Sequence, residues 1–301
     1  MAIADRAVAE EPIVAVQVDL SEFTKSKLGE LMVKAGTTLA AQEMGKDPEE
    51  AMEAVIQSIG FNPLEQDIKL NVAVMDLEDP MNGLQVNAQL KDSTGNLEGL
   101  LLAAPEYRAI TYGDHTIHAA DVDGQEVFVA FYNGASGKKH IAFAPSEATV
   151  RATLDGSNDS SASDTSLHDM ADGQFLSVQL LSMPEEIADV PPIANIGNMV
   201  DSFSMGLREE GSNLVATVTL ATENAEQATQ IQQLAQGAIA MLGLFKEEIR
   251  EELGDDVVAG NVIPVLDQIS VTREDKAITI ESKIPEALLI EFLREEADLP
   301  L

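Results

Sequence analysis

The sequence predicts an α+β fold of two similar lobes from an internal duplication, each an antiparallel meander sheet with helices packed on one face. Three observations lead there. Leu84, Val86, Ala88 and Leu90 alternate as one face of a strand, and Leu214, Ala216, Val218 and Leu220 repeat that beat at an offset of 130 residues. Ala73, Met75 and Leu77 match Phe203, Met205 and Leu207 at the same offset. Ile110 and Tyr112 match Ile269 and Val271 at an offset of 159, which implies an insertion between the matched elements.

The elements follow from local pattern. Residues 13–20 (IVAVQVDL) alternate as a strand, and Ser21 caps a helix to about Lys34. Asp47 caps a second helix, Pro48 to Ile59, stopped by Gly60. Strands over 69–77 and 84–91 are joined by a turn holding Pro80 and Asn82-Gly83. A short helix, 96–104, ends at Pro105. Strands over 108–112, 115–122, 125–132 and 139–143 follow, with Asp123-Gly124 as a hairpin signal and a helix from Pro145 to Leu154. Val127 to Phe131 is apolar on both faces, the mark of a strand covered on both sides.

Residues 155–173 (DGSNDSSASDTSLHDMADG) read as a flexible acidic linker, so the expected division is 13–154, linker 155–173, and 174–301. The second half restarts with a strand at Phe175 to Leu181, where Val178-Gln179-Leu180 echoes Val16-Gln17-Val18. A Pro-interrupted helical region, 184–199, precedes strands over 202–208 and 213–221 split by Gly211. A long helix starts at Asn224, with Gln227 completing its cap, and a charged helical stretch runs from Lys246 toward Gly254. Strands over 268–273 and 277–283 and an amphipathic helix, Glu286 to Glu296, close the chain.

Composition narrows the function. The 301 residues carry 52 acidic and 18 basic side chains, a formal net charge of −34, so nucleic acid and anionic membranes are repelled. The acid load serves solubility or a saline habitat, where short Debye lengths relieve crowded carboxylates. There are 0 cysteines, which removes disulfides and thiol chemistry. No apolar run reaches the ~18 residues of a membrane span. Ala7-Val8-Ala9 before Glu10-Glu11-Pro12 looks like the end of a signal-peptide cleavage site, which points to a periplasmic or secreted protein.

The run Val18-Asp19-Leu20, then Gly60-Phe61-Asn62-Pro63 with Asp67-Ile68, and later Pro264 to Leu266 before Gln268, resembles uncharacterised exported proteins of environmental bacteria. The resemblance covers most of the chain and implies a cell-envelope or secreted setting. It brings no catalytic residue with it.

No motif assembles a catalytic or metal centre. His115 and His118 have metal-ligand spacing for a helix, but on a strand they face opposite ways. His140 and His168 stand alone in the sequence. The acidic 155–172 stretch lacks the ligand spacing of a calcium loop. Gly134 to Lys139 (GASGKK) departs from both the phosphate-loop and the nucleophile-elbow patterns and reads as a strand-to-strand loop. Acidic pairs such as Glu209-Glu210, Glu247-Glu248 and Asp255-Asp256 are expected by chance at this acid content.

Ala228, Ile231, Leu234, Ala235, Ala238, Ile239 and Leu242 trace one helical face, expected to pack on the sheet, with a dimer seam or a lipid groove as the alternative. Gly237 to Phe245 is apolar almost all round, so part of it is expected to be buried on more than one side. The reading is a non-catalytic exported binding or structural protein of the bacterial cell envelope, with no cofactor, metal or catalytic residue. It would meet a protein partner, a second copy, or an apolar small molecule. The alternatives are a hydrolase whose acids converge only in space, and a carrier of an apolar ligand between sheet and helices.

Overall fold

Asp19 ends the first strand, β1 (Val14–Asp19), and starts the first helix, α1 (Leu20–Lys25). Its carboxylate accepts the Ser21 and Glu22 backbone N–H groups at 3.1 Å each and the Ser21 hydroxyl at 2.7 Å. Asp19, rather than Ser21, is therefore the cap, because an ionised acceptor reaches both orphan donors. The expected helix through Lys34 is two helices. Ser26 turns extended, donates its hydroxyl to the Phe23 carbonyl at 2.6 Å, and accepts the Gly29 N–H at 2.9 Å, so it ends α1 and caps α2 (Lys27–Met44). A Cβ at position 29 would drive into the Phe23 carbonyl, so glycine is required where α2 turns against α1. Asp47 caps α3 (Pro48–Ile59) through the Glu50 N–H at 2.9 Å, and Gly60 stops it at φ +82.

The computed structural model describes residues 12–77, 79, 83–91, 94–122, 124–134, 137–158, 170–181, 199–246, 265–288 and 290. The cleavage-site signal at Ala7 to Glu11, Asn82, Asp123, His168, most of 155–173, the helical region 184–198, the stretch 247–264 and most of 286–296 lie outside them. The chain divides into two compact units, Met1–Val16 with Ile56–Asp169, and Gln17–Val55 with Met170–Leu301. The sequence reading kept 13–154 together. Here α1, α2 and most of α3 belong instead with the second unit, where Phe23 meets Phe175 at a ring distance of 5.6 Å and the Lys27 N–H donates to Glu209.

The first unit holds β2 (Ile68–Val74), β3 (Leu84–Leu90), α4 (Leu97–Leu102), β4 (Arg108–Tyr112), β5 (His115–Val122), β6 (Gln125–Asn133), β7 (Lys139–Ala144) and α5 (Glu147–Asn158). Its strands pair antiparallel in the order β2-β3-β7-β6-β5-β4. Only β4 to β7 form a meander; β7 returns beside β3. Val150 and Leu154 of α5, both at 0% exposure, pack on Ile117, Phe128, Ala130 and Ala144. Val127 to Ala130 is buried on both sides, as the apolar run implied. Helix α5 continues through Asn158, into the stretch expected to be linker.

Helices do not keep to one face in this unit. His118 alternates with Ile117, so it points away from α5, and Glu98 of α4 reaches it there, with Oε1 3.6 Å from Nε2.

The second unit holds β8 (Gln174–Leu180), β9 (Ser202–Glu210), β10 (Asn213–Ala221), α6 (Ala225–Leu244), β11 (Ile269–Glu274) and β12 (Ala277–Pro285). The order is β8-β9-β10-β12-β11, again antiparallel but not a meander. The long α6 connection frees the chain from hairpin geometry after β10, so the last hairpin docks by its second strand.

The constant 130-residue offset does not survive in the ladders. Glu210 pairs with Asn213 across a tight turn, whereas Val74 pairs with Leu84 across a loop. Met75 and Leu77 lie beyond the end of β2, while their matches, Met205 and Leu207, sit inside β9. The third match pairs β4 with β11, yet β11 neighbours the strand beside β10, whereas three strands separate β4 from β3.

Candidate functional site

Asn224 starts α6, its side-chain oxygen accepting the Glu226 and Gln227 N–H groups at 3.1 and 3.0 Å. The first two turns of the helix then behave as the periodicity implied. Ala228 and Ile231 are buried against Leu220, Val271, Ile278 and Ile280. Beyond Gly237 the helix outruns that contact. Met241 is 59% exposed and Leu244 83%, and Leu234, Leu242 and Phe245 are exposed with them. Nothing lies within 4 Å of where a Cβ would stand at Gly237 or Gly243.

The expectation that Gly237 to Phe245 is buried on more than one side is thus overturned. The first turns of this 20-residue helix meet the strands, and the apolar side chains of its C-terminal end are exposed. From Gln227 to Phe245 the chain carries no charged residue, within a protein of net charge −34. Lys246 ends the segment in an ion pair with Asp267. Fully burying one Leu, Met or Phe side chain is worth about 1.5–3 kcal/mol, so this exposed, uncharged end has a large unrealised gain on meeting an apolar partner. Other exposed apolar side chains are Met32, Leu39 and Met44 on α2, Val55 on α3, Leu100 and Leu102 on α4, and Leu77 and Val122.

The histidines separate as the strand spacing required. His115 sits edge-on to Tyr132 at 6.4 Å, on the side of the α5 core. His118, 4% exposed, faces the other way; its Nδ1 is 3.0 Å from the Tyr107 hydroxyl and its ring meets Phe131 at 5.7 Å. It is a hydrogen-bonded core residue.

His140 is not alone. Its ring stacks on Tyr132 at 5.1 Å, and its Nδ1 lies 3.1 Å from the Asn87 carbonyl oxygen. That oxygen only accepts, so Nδ1 carries the proton, and the Asn87 amide in turn donates to the Tyr132 hydroxyl at 2.6 Å. Burial, and then the charge of Lys138, hold the His140 pKa below the ordinary imidazole value. Burial pushes the Tyr132 phenol up, partly opposed by the Asn87 bond. The signal for this cluster was present in the alternation of β3, β6 and β7, but the cross-strand neighbours were needed to join it.

Gly134 to Lys139 is the β6–β7 turn, closed by Gly134 N–H to the Lys138 carbonyl at 2.9 Å; Ala135 and Ser136 lie outside the described residues. Of the acidic pairs, Glu209 accepts the Lys27 N–H and Glu210 meets Lys283 at 3.2 Å. Glu247-Glu248 and Asp255-Asp256 lie outside the described residues. Among the described residues no group of three or more His, Asp or Glu could hold a metal ion, and no helix is long and apolar enough to cross a membrane.

No protein-family model matches the sequence, and no curated protein matches it. Among solved structures, crystal form IV of TP0453 aligns over 95% of this chain and 94% of its own at 7% identity and a TM-score of 0.44. Crystal form III of TP0453 aligns over 93% of each chain at 8% identity and a TM-score of 0.42.

Proposed function

We propose that the protein is a non-catalytic, exported binding protein of the bacterial cell envelope that holds an apolar partner on the C-terminal end of α6. The uncharged, exposed run from Gly237 to Phe245 carries this reading. Apolar surface left open on an otherwise acid-rich chain is retained against the hydrophobic effect, and binding is the ordinary reason for it. The envelope setting is supported by the resemblance to exported proteins and by the small-residue run at Ala7 to Ala9.

The test is thermal-shift screening of the wild type and of a Leu242→Gln/Leu244→Gln variant against fatty acids, uncharged glycans and divalent metals. Fatty acids should raise the melting temperature by several degrees in the wild type only. Stabilisation by metals or glycans alone, or an equal fatty-acid response in the variant, would reject the reading. Size-exclusion chromatography of the same pair distinguishes a second copy as the partner.

The duplication belongs to the same proposal. In each unit a hairpin is followed by another that docks through its second strand, β7 beside β3 and β12 beside β10. The orders β2-β3-β7-β6 and β9-β10-β12-β11 correspond under that matching, with β4 and β5 as the inserted hairpin. This supports a tandem copy with the β4–β5 hairpin added in the first unit and the longer α6 connection in the second.

A further inference from the structure

Helix α4 has little of its own to hold it. Its 6 residues fall short of the ~12–15 that an isolated helix needs in water. None of them is buried, and Asn96, at the N-cap, makes no side-chain capping bond. Backbone bonds tie its two approaches, Asn96 N–H to the Ile59 carbonyl at 2.7 Å and Asp121 N–H to the Pro105 carbonyl at 3.1 Å. Between those points Glu98 reaches the sheet, its Oε1 3.6 Å from His118 Nε2.

His118 is held in place for that contact. It is buried, with its ring edge-on to Phe131 at 5.7 Å. Glu106 takes φ +51, a left-handed conformation uncommon outside glycine, and the next residue, Tyr107, sets its hydroxyl 3.0 Å from Nδ1. Across the ladder His118 faces Ala109 on β4 and Val129 on β6, which carry no charge. Strand alternation sends Arg108, Asp121 and Glu126 to the opposite face. Among the described residues, Glu98 of α4 and Tyr107 at the head of β4 are thus the titratable groups that meet the imidazole.

Each ring nitrogen therefore faces one oxygen. A neutral imidazole donates from one nitrogen and accepts at the other. With a second proton both donate, Nδ1 to the phenol oxygen and Nε2 toward the Glu98 carboxylate, and the second contact becomes an ion pair. Burial opposes the added charge, and the facing carboxylate offsets that cost.

We propose that α4 is a strap closed by a proton: in mild acid His118 pairs with Glu98 and holds α4 on the sheet, and at neutral pH and above the tie is lost and the helix opens more often. Histidine is the side chain whose charge ordinarily changes between about pH 5 and 8, the range in which the strap would respond. Opening bares the His118 ring and the Phe131 side of the sheet.

The test is amide exchange by NMR on the full chain, corrected for the intrinsic pH dependence of exchange. It reads the Leu100, Ala103 and Ala104 N–H groups, which bond to the Asn96, Leu100 and Leu101 carbonyls at 3.0, 3.2 and 3.0 Å. Their protection should rise about threefold or more between about pH 7.5 and about pH 5.5 in the wild type. Glu98 is exposed, so Glu98→Gln keeps the fold and should abolish the rise. His140→Gln removes an imidazole on the opposite face and should leave the rise unchanged. A flat response in the wild type, or a rise that survives Glu98→Gln or disappears with His140→Gln, would overturn the strap.

Discussion

Helices α5 and α6 do the same job with different results. Helix α5 spends its apolar side chains inward, with Val150 and Leu154 wholly buried under the β5–β6–β7 sheet. Helix α6 is longer and more apolar, yet buries Ala228 and Ile231 and leaves Met241, Leu242, Leu244 and Phe245 in water. Apolar content therefore does not decide burial. The C-terminal end of α6 keeps large apolar side chains exposed, and among the described residues α5 keeps none.

Truncating the buried anchors should break both helices alike. Leu154→Ala and Ile231→Ala are each expected to cost about 2–5 kcal/mol in denaturant unfolding, because each opens a cavity beneath a helix. A loss below about 1 kcal/mol at Ile231 would mean that α6 is not docked even at its start. Asp19→Ala removes the acceptor for two N–H groups of α1 and is expected to cost about 0.5–2 kcal/mol by the same measurement.

The pH dependence should report on the His140 imidazole. The His140 pKa is lowered on folding, so the folded chain binds fewer protons there than the unfolded chain does. Its contribution to stability is flat above the unfolded value near 6.5 and declines as pH falls below it. His140→Gln, compared with wild type between about pH 7 and pH 5, should flatten that part of the decline; an unchanged slope would place the cause elsewhere. The smallest effect is expected at the exposed end of α6, where Leu244→Gln should change stability by no more than about 0.5 kcal/mol.

Much of the fold was legible because strands and caps are local. The alternations over residues 84–90 and 213–221 placed β3 and β10, and Asp47 and Gly60 bounded α3. The apolar run 127–131 announced a strand buried on both faces. Non-local facts were not legible. Ser26 both terminates and caps a helix, which a helical periodicity running across it conceals. The pairing of β7 with β3, and of β12 with β10, depends on which strand of a hairpin docks, and both choices give the same sequence pattern. The His140–Asn87–Tyr132 cluster joins residues from three strands, of which the sequence singled out His140 alone and gave it no partner. At α6 the sequence carried the composition of a buried helix, and only the side-chain exposures show that its end is open.

The direct test is methyl NMR with a soluble paramagnetic probe, reading α6 against α5 in one experiment. The Leu242 and Leu244 methyl signals should be strongly attenuated while those of Ile231, Val150 and Leu154 are spared. Equal protection of Leu244 and Leu154 in the free monomeric protein would contradict the exposed apolar end on which the binding reading depends.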